Sequence, residues 1–262
     1  MKLRLLTLFL VLAQMVAAQN FTEVTGVPFA GVALSSIAFA DVDGDNDEDV
    51  LITGLNLDSG SPGDRISKLY TNDGSGNFVE VMNTPFDGVE EGSIAFADVN
   101  GDNDQDVLIT GRSDAARISK LYLNDGSGTF AEVMGTPFQG VSFSSIAFTD
   151  VDGDNDQDLF IPRKANYFAY ISNLYLNEST GNFDATQPTS FAGIRDGSIA
   201  FTDVDGDNDQ DLLITGSAWG GYTSRLYTND GLGVFTEVVG TPFTGVVRSS
   251  IAFADVDGDN DQ

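Results

Sequence analysis

The sequence predicts an all-β protein of the β-propeller class, built from four-stranded antiparallel blades. A nine-residue acidic loop begins at Asp41 and recurs in steps of 57, 52, 53 and 52 residues. Each copy lies among short apolar runs typical of strands, and a glycine-rich hairpin turn follows. A period near fifty residues, with about four strands in each unit, is typical of a propeller blade.

The four strands of each unit follow in a fixed order. The first, residues 37–40 in the first unit, alternates Ile and Phe with Ala and precedes the acidic loop. The second, residues 50–53, is a short continuous apolar run typical of a strand buried on both faces. The third opens on the pair Leu69-Tyr70, and the fourth opens on Phe78 after a hairpin turn. We expect the recurring Ile, Tyr and Phe to pack between blades.

The acidic loop at residues 41–49 reads Asp-Val-Asp-Gly-Asp-Asn-Asp-Glu-Asp. Acids occupy loop positions 1, 3, 5, 7 and 9, and carboxylates this dense repel one another at neutral pH unless a cation lies among them. Hard oxygen ligands of this kind suit Ca²⁺. A surface that is acidic only for solubility would not keep the odd-numbered spacing in every copy. The loops therefore predict calcium sites.

The repeat also divides the chain. We predict an export signal at residues 1–18 and a propeller segment at residues 19–262. Within that segment, residues 19–36 match the last strand of a blade, four repeats follow at 37–93, 94–145, 146–198 and 199–250, and residues 251–262 match a truncated repeat. Four complete units with a partial unit at each end predict a fragment of a longer propeller.

The first residues have the pattern of a secretory signal. Lys2 and Arg4 precede an apolar run at residues 5–16, and small residues end at Ala18, where we expect cleavage before Gln19. A signal anchor is the alternative, but the run is short for a membrane span. No second segment approaches ~18 apolar residues, so we expect a mature chain without a membrane span, secreted or held at the cell surface.

Composition excludes several classes of function. The formal net charge of −28 argues against nucleic acid or an anionic membrane as a partner. The chain has no Cys and no His, which excludes thiol nucleophiles, Cys/His zinc sites, disulfides and the usual general base. An exported chain without disulfides needs another source of stability, and bound metal is one.

The pattern Asp-Val-Asp-Gly-Asp-Asn-Asp-x-Asp, followed by Leu-Tyr-x-Asn-Asp-Gly-x-Gly-x-Phe, resembles the FG-GAP/VCBS repeats. Such repeats build the integrin α-subunit N-terminal β-propeller and occur in many secreted proteins of bacterial type. The resemblance covers essentially the whole mature chain and implies a calcium-binding, integrin α-like propeller, commonly of seven blades. It further implies that the side chains at loop positions 1, 3, 5 and 9 bind Ca²⁺ and that position 7 contributes its backbone carbonyl.

The resemblance assigns one ligand set to each copy of the loop. The sets are Asp41, Asp43, Asp45, Asp47 and Asp49; Asp98, Asn100, Asp102, Asp104 and Asp106; Asp150, Asp152, Asp154, Asp156 and Asp158; Asp203, Asp205, Asp207, Asp209 and Asp211; and Asp255, Asp257, Asp259 and Asp261. Asn100 replaces an Asp, so we expect weaker binding in the second loop. The last copy lacks a ninth ligand, which puts its occupancy in question. An EF-hand fits worse, because it requires Gly at position 6 and Glu at position 12.

The basic residues of the mature chain are segregated from the acidic loops. All of them fall between a second and a third strand or just before a first strand. In an up-and-down blade these connections emerge on the face opposite the acidic loops, and variable loops on a rigid scaffold often carry binding sites. We predict ligand contacts on that face from Arg163, Lys164, Tyr167, Trp219 and Tyr222. The alternative is that the cations only balance the field of the acidic loops.

Three functional hypotheses follow. The leading one is a secreted, calcium-stabilised module for adhesion or for binding an extracellular protein or glycan. The alternative is a carbohydrate-binding, lectin-like propeller or an accessory domain of a polysaccharide-active enzyme, because Trp219 and the loop tyrosines can stack on sugar rings. Catalysis by Asp/Glu pairs is the third. Nearly every recurring acid belongs to a metal loop, so we predict that this chain is not an enzyme.

Overall fold

The structure, a computed structural model, describes residues 22–57, 63–166, 169–185 and 191–254, with only the backbone for 164–166 and 169. Within these ranges the regular secondary structure consists of strands. No helix there is long and apolar enough to cross a membrane. The export signal predicted at 1–18 and the truncated loop at 255–262 lie outside the described residues.

Each of the four predicted repeats forms one antiparallel sheet whose strands follow one another in chain order. The sheets are arranged like the blades of a propeller and do not close on one another within the described residues, and this confirms the predicted class. The strands are β1 Val32–Ala40, β2 Asp49–Asn56, β3 Arg65–Asn72 and β4 Phe78–Glu80; β5 Glu90–Ala97, β6 Asp106–Arg112, β7 Arg117–Asn124 and β8 Phe130–Glu132; β9 Ala147–Thr149, β10 Asp158–Asn166, β11 Ala169–Asn177 and β12 Phe183–Ala185; β13 Arg195–Thr202, β14 Asp211–Ala218, β15 Gly221–Asn229 and β16 Phe235–Glu237.

The core lies between successive blades, as the recurring aromatic residues predict. Each third strand buries a tyrosine, and the exit segment of the preceding blade places a phenylalanine against it. The ring of Phe86 lies 5.0 Å from that of Tyr122 and 5.1 Å from that of Phe130, in the tilted and edge-on geometries that aromatic pairs prefer. Phe191 packs on Tyr227 at 5.2 Å in the same way, although Ser replaces Pro before it.

The second and third strands extend further than the apolar pattern predicts. β2 continues to Asn56, and β3 begins at Arg65, four residues before the Leu69-Tyr70 pair. The apolar pattern marks only the buried part of a strand, whereas backbone hydrogen bonds continue through polar residues. The predicted connectors are therefore mostly paired strand. The fifth first strand, predicted at residues 251–254, forms no strand in the described part of the chain.

Because of this extension, three of the cations do not lie where the sequence analysis predicted them, on the face opposite the acidic loops (the connector face). Lys68, Lys120 and Arg225 lie midway along the third strands. There they pair with glutamates of the fourth strands, and the distances are 2.9, 2.9 and 2.8 Å; the partners are Glu80, Glu132 and Glu237. Such partly exposed pairs contribute little to stability. These three cations therefore balance the charge of the fourth-strand glutamates. The arginines near the strand ends remain candidates for the connector face.

A bulge near the start of the first strand recurs in three blades. In β1 the register shifts between Ala33 and Ser36, so two residues lie opposite Gly54. A Cβ on Gly54 would lie 2.9 Å from the Ala33 carbonyl oxygen. In the third blade Arg163 occupies the equivalent position and Pro162, which has no N–H to donate to a ladder, precedes it. There β9 begins only at Ala147.

Gly140 lies where the exit segment of the second blade crosses β7. A Cβ there would lie 2.0 Å from the carbonyl oxygen of Arg117, so Gly140→Ala must displace backbone. We expect it to reduce the free energy of unfolding by about 3 kcal/mol and to lower Tm by roughly 6–12 °C. Calorimetry would compare it with Gln139→Ala, an exposed neighbouring change. Equal Tm values for the two variants would contradict this tight crossing.

Candidate calcium sites

Two left-handed residues shape every described acidic loop. In the first loop Gly44 at position 4 has φ 77° and Asn46 at position 6 has φ 68°. The same two positions are left-handed in the other three described loops, with φ between 68° and 83°. Gly and Asn are the residues that adopt this conformation most readily. Their alternation with the acids turns the short loop back on itself.

The position-1 carboxylate holds the loop in this conformation. Asp41 Oδ1 accepts the Gly44 N–H at 2.8 Å, and Asp41 Oδ2 accepts the Asn46 N–H at 2.9 Å. The position-5 carboxylate adds a third bond, because Asp45 Oδ1 accepts the Asp47 N–H at 3.0 Å. The same bonds recur in the other described loops. The acids are therefore ordered by the backbone before any ion is considered.

The position-9 carboxylate is buried and joins the loop to the third strand of its own blade. Asp158 Oδ2 accepts the Val151 N–H at 2.9 Å, and Oδ1 accepts the Asn177 N–H at 2.9 Å. Asp49, Asp106 and Asp211 repeat this arrangement. All four are at most 1% exposed.

In three of the loops, three carboxylates lie close enough together to bind one ion in each loop. In each group the oxygens lie within 4.8 Å of one another, and the groups are Asp41, Asp43 and Asp45; Asp150, Asp152 and Asp158; and Asp203, Asp205 and Asp211. Calcium–oxygen distances of about 2.3–2.6 Å allow ligands about 4.6–5.2 Å apart across the ion. The described second loop forms no such group, because Asn100 replaces an acid and donates to Asp102 Oδ2 at 2.8 Å.

The position-3 carboxylates show most clearly whether the loop residues suit a calcium ion. Asp43 Oδ1 and Asp152 Oδ1 are buried, and neither has a hydrogen-bond partner among the described residues. A buried carboxylate oxygen without a partner is costly. Burial, followed by repulsion from the neighbouring position-5 acid, raises the pKa of both carboxyls. A hard divalent cation would remove both penalties, so the donor set fits calcium.

The position-7 side chains point towards the turn between the third and fourth strands. A Cβ on Gly74 would lie 2.3 Å from Asp47 Oδ2, so this carboxylate packs directly on the glycine. Asp104 and Asp209 pack on turn glycines in the same way, and Asp156 accepts a hydrogen bond from the Ser179 hydroxyl. A position-7 residue turned this way offers an ion its carbonyl, which is the role that the resemblance implies.

A contact that the sequence pattern did not reveal ties each of the first three loops to the next blade. The position-2 carbonyl of Val99 accepts the side-chain amide of Asn177 at 2.7 Å and the Gly181 N–H at 2.9 Å. Val42 and Val151 are bonded likewise to Asn124 and Asn229 of the blades that follow them. The only sequence signal for this contact is the Asn at the start of each turn between the third and fourth strands. The sequence analysis attributed that Asn to the hairpin turn alone.

The loop geometry agrees with a match to a known family. The family model described as FG-GAP-like repeat matches residues 55–109, 98–161 and 203–262, which together cover more than half of the chain. The chain belongs to the FG-GAP-like repeat family. Two of the matches begin at the position-1 aspartates Asp98 and Asp203, so the FG-GAP-like unit and the acidic loop coincide there.

Other comparisons are more distant. No curated protein matches the chain. Similar solved structures include exo-β-1,3-galactanase from Phanerochaete chrysosporium with β-1,3-galactotriose, at TM-score 0.43 and 11% identity over 79% of this chain and 50% of that one. The same enzyme with galactose gives TM-score 0.42 and 12% identity over the same shares. This FG-GAP-like chain thus spans about half the length of these two structures.

Burial strongly perturbs two position-9 acids of these FG-GAP-like loops. It raises the pKa of Asp106 to about 6 and that of Asp158 to about 7, against the opposing effect of the backbone N–H groups they accept. Without a cation, each therefore gains free energy by taking up a proton as the pH falls below these values.

The metal-free protein is accordingly expected to be more stable at pH 5 than at pH 7.5. A carboxyl whose folded pKa is raised stabilises the fold below its unfolded pKa of 3.8, and this contribution is lost as pH rises towards about 7 for Asp158. Thermal melts after removal of calcium on a chelating resin would measure it. The Asp158→Asn variant should show a weaker dependence on pH between these values, and an unchanged dependence would contradict the assignment.

Those predicted ligand residues that the structure describes lie away from the acidic loops. Trp219 and Tyr222 stand at the tip of the β14–β15 hairpin with 67% and 66% of their surface exposed. Arg163 lies on β10 opposite Ile171, and its Nε is buried. Tyr167 and the side chain of Lys164 are outside the described residues. The structure thus places Trp219 and Tyr222 together but does not bring Arg163 into a described contact with them.

Proposed function

We propose that this chain is a secreted calcium-binding β-propeller that acts as an adhesion or protein-binding module, in which Ca²⁺ is structural. The observation that carries the proposal is the pair of buried position-3 oxygens, on Asp43 and Asp152, that lack a partner among the described residues. They lie beside two further carboxylates in the same loop. Calcium supplied at millimolar concentration outside the cell would complete such sites.

The position of the loops supports a structural role for the ion. The position-9 acid joins the loop to the third strand, and the position-2 carbonyl receives the next blade at 2.7–2.8 Å through the side-chain amides of Asn124, Asn177 and Asn229. An ion held by the same loop would therefore stiffen one blade and its joint to the next. It would lie among backbone groups that are already engaged, which disfavours a role in catalysis.

The opposite end of the blades is the better place for a partner. Trp219 and Tyr222 expose most of their aromatic surface there, and aromatic residues are enriched at protein interfaces. Glycan binding is the second candidate, because exposed aromatic rings also stack on sugars. The predicted export signal at residues 1–18 fits either function and would be tested by finding Gln19 at the N-terminus of the exported protein.

Calcium titration of the metal-stripped chain, beginning at Gln19, tests the first half of the proposal. We expect three tight sites, from the loops that begin at Asp41, Asp150 and Asp203, and a weaker one from the loop that begins at Asp98. Asp43→Asn and Asp152→Asn should each weaken one tight site. Magnesium is the control, because it demands a smaller octahedral site. No heat of calcium binding would refute the proposal.

The second half is tested by probing the calcium-loaded chain against extracellular matrix proteins and a glycan array. A Trp219→Ala, Tyr222→Ala double variant is matched by Val79→Ala, an exposed apolar residue on the fourth strand of the first blade. Loss of protein binding only in the double variant would support adhesion, and loss of glycan binding would favour the lectin-like candidate. Binding that is equal in all three proteins would place the contact elsewhere.

A further inference from the structure

A groove of about 800 Å³ lies between the starts of the first strands, at the end of the blades away from the calcium loops. Every repeat contributes the same three positions to its lining. The third position is always Ser, and the first is different in each repeat. The variable first positions are Leu34, Glu91, Phe143, Asp196 and Arg248, and the serines are Ser36, Ser93, Ser145, Ser198 and Ser250.

The backbone of the variable position is the same in all five repeats, although its side chain changes. Each of these residues has a left-handed φ between 50° and 57°, which is costly for residues such as Leu and Phe. Hydrogen bonds from one repeat to the next hold it there: the N–H groups of Phe143, Asp196 and Arg248 donate to the preceding variable residue at 2.7, 2.8 and 2.6 Å. The groove is thus a constant frame that presents different side chains.

Beside the groove is a smaller cavity of about 70 Å³, lined by Arg117, Val141, Ser142, Phe143 and Arg195. Liquid water occupies about 30 Å³ per molecule, so the cavity has room for a group the size of a carboxylate or sulfate. Phe143 lines both spaces. The cavity therefore lies directly beside the groove, on the other side of Phe143 or around it.

The equivalent contact between the first and second blades (the previous joint) shows which side chain can occupy the position of Ser142. There the residue equivalent to Ser142 is Glu90, whose buried carboxylate oxygen lies 2.6 Å from Arg65 and 2.6 Å from Arg112. At the next joint, 52 residues later, Arg117 replaces Arg65 and its Nε donates to the Ser142 hydroxyl at 2.8 Å. The arginine is retained while the carboxylate is missing.

A second guanidinium faces the same cavity. Arg195 Nε is buried and makes no hydrogen bond with any described residue; its acidic neighbour, Asp196 Oδ2, lies 3.3 Å away as an ion pair. The described lining therefore contains two guanidinium groups and a hydroxyl but no carboxylate. Guanidinium groups bind planar or tetrahedral oxyanions with paired hydrogen bonds.

We propose that this cavity binds the carboxylate or sulfate of an acidic carbohydrate whose sugar rings lie in the adjoining groove. The serine hydroxyls, together with Glu91 and Asp196, offer hydrogen bonds to sugar hydroxyls, and Phe143, 41% exposed, offers a ring face. An acidic peptide would supply a carboxylate too, but a groove lined mainly by hydroxyls suits a polyhydroxylated chain better. The inference rests on the proposed binding role of this face and specifies its ligand.

Ser142→Glu is the decisive variant, because it supplies the carboxylate that Glu90 supplies at the previous joint. Calorimetric titrations in calcium buffer would use trigalacturonate, a sulfated galactose trisaccharide and neutral galactotriose. We expect the wild type to bind an acidic probe. Ser142→Glu and Arg117→Ala should each weaken that binding at least tenfold, whereas Ser142→Ala should change it less than threefold. Ser142→Glu should melt no lower than the wild type, which excludes misfolding as the cause.

The arms of the experiment separate the alternatives. Preference for the uronate or the sulfate probe identifies the source of the anion, and both results support the proposal. Equal binding of galactotriose, or Ser142→Glu binding like the wild type, would overturn it. So would binding of an aspartate-rich peptide in place of both acidic sugars, which would assign the cavity to a protein partner. Calcium-dependent melting without any binding of the acidic probes would leave the calcium propeller standing and remove this inference alone.

Discussion

Removal of calcium is expected to lower the melting temperature of the chain that begins at Gln19 by about 10–20 °C. Calcium at ten times its dissociation constant stabilises a folded site by ~1.4 kcal/mol, so the three tight sites contribute ~4 kcal/mol and the weaker second site adds less than ~1.4 kcal/mol. In a chain of this size each kcal/mol shifts Tm by roughly 2–4 °C. The effect would also have a local cause, because an ion would compensate the buried oxygens of Asp43 and Asp152, which lack a hydrogen-bond partner among the described residues.

The measurement is a pair of melts, one in millimolar calcium and one in excess EGTA. Restoring calcium to the chelated sample should recover the higher Tm, and magnesium at the same concentration should recover little of it. The loss should depend on calcium concentration, as mass action requires. Superimposable melts in calcium and in EGTA would show that the acidic loops do not depend on an ion.

Replacement of Asp158 by Ala should be the most destabilising single change in a calcium loop. It leaves the buried N–H groups of Val151 and Asn177 without their acceptor, at ~1–3 kcal/mol each, and it removes one ligand from a three-carboxylate group. We expect a loss of about 4 kcal/mol in calcium and a fall in Tm of roughly 8–16 °C. The loss should be smaller without calcium, because burial of this carboxylate is itself unfavourable there.

Asp156→Ala is the matched control, since it removes an acid from the same loop at position 7. Its carboxylate is directed to the Ser179 hydroxyl of the hairpin turn. We therefore expect a loss below about 1 kcal/mol, the typical net contribution of one hydrogen bond, with every calcium site retained. Equal effects of the two substitutions would contradict the distinct roles assigned to positions 7 and 9.

The sequence was sufficient for the repeat, the blade and the loop positions, because each depends on local chemistry that recurs. The fourth strands begin at the predicted phenylalanines, and the position-1 acids bind the loop backbone as a tight acidic turn requires. The lengths of β2 and β3 were wrong, because polar residues continue a hairpin ladder without leaving an apolar pattern. The predicted place of Lys68, Lys120 and Arg225 was wrong for the same reason, because they lie on the third strands and pair with glutamates of the fourth strands.

Contacts between blades were harder to predict. Asn177 has the sequence context of a turn residue, and only the fold brings its amide 2.7 Å from the Val99 carbonyl of the preceding blade. The left-handed positions at Leu34 and Phe143 are not marked by Gly or Asn, which are the usual signs of that conformation. The exchange of Glu90 for Ser142 is visible in the aligned repeats, but its meaning depends on where Arg117 and Arg195 lie.

The five left-handed positions also make this chain a scaffold for engineered recognition. Leu, Glu, Phe, Asp and Arg already occupy these positions with nearly the same φ. The side chains at the five positions can therefore be varied together without a change in backbone conformation. A displayed library varied only at Leu34, Glu91, Phe143, Asp196 and Arg248 should retain a high proportion of folded members. Selection from it would then sample new specificities on one fixed backbone, while the acidic loops at the other end of the blades keep their sequence.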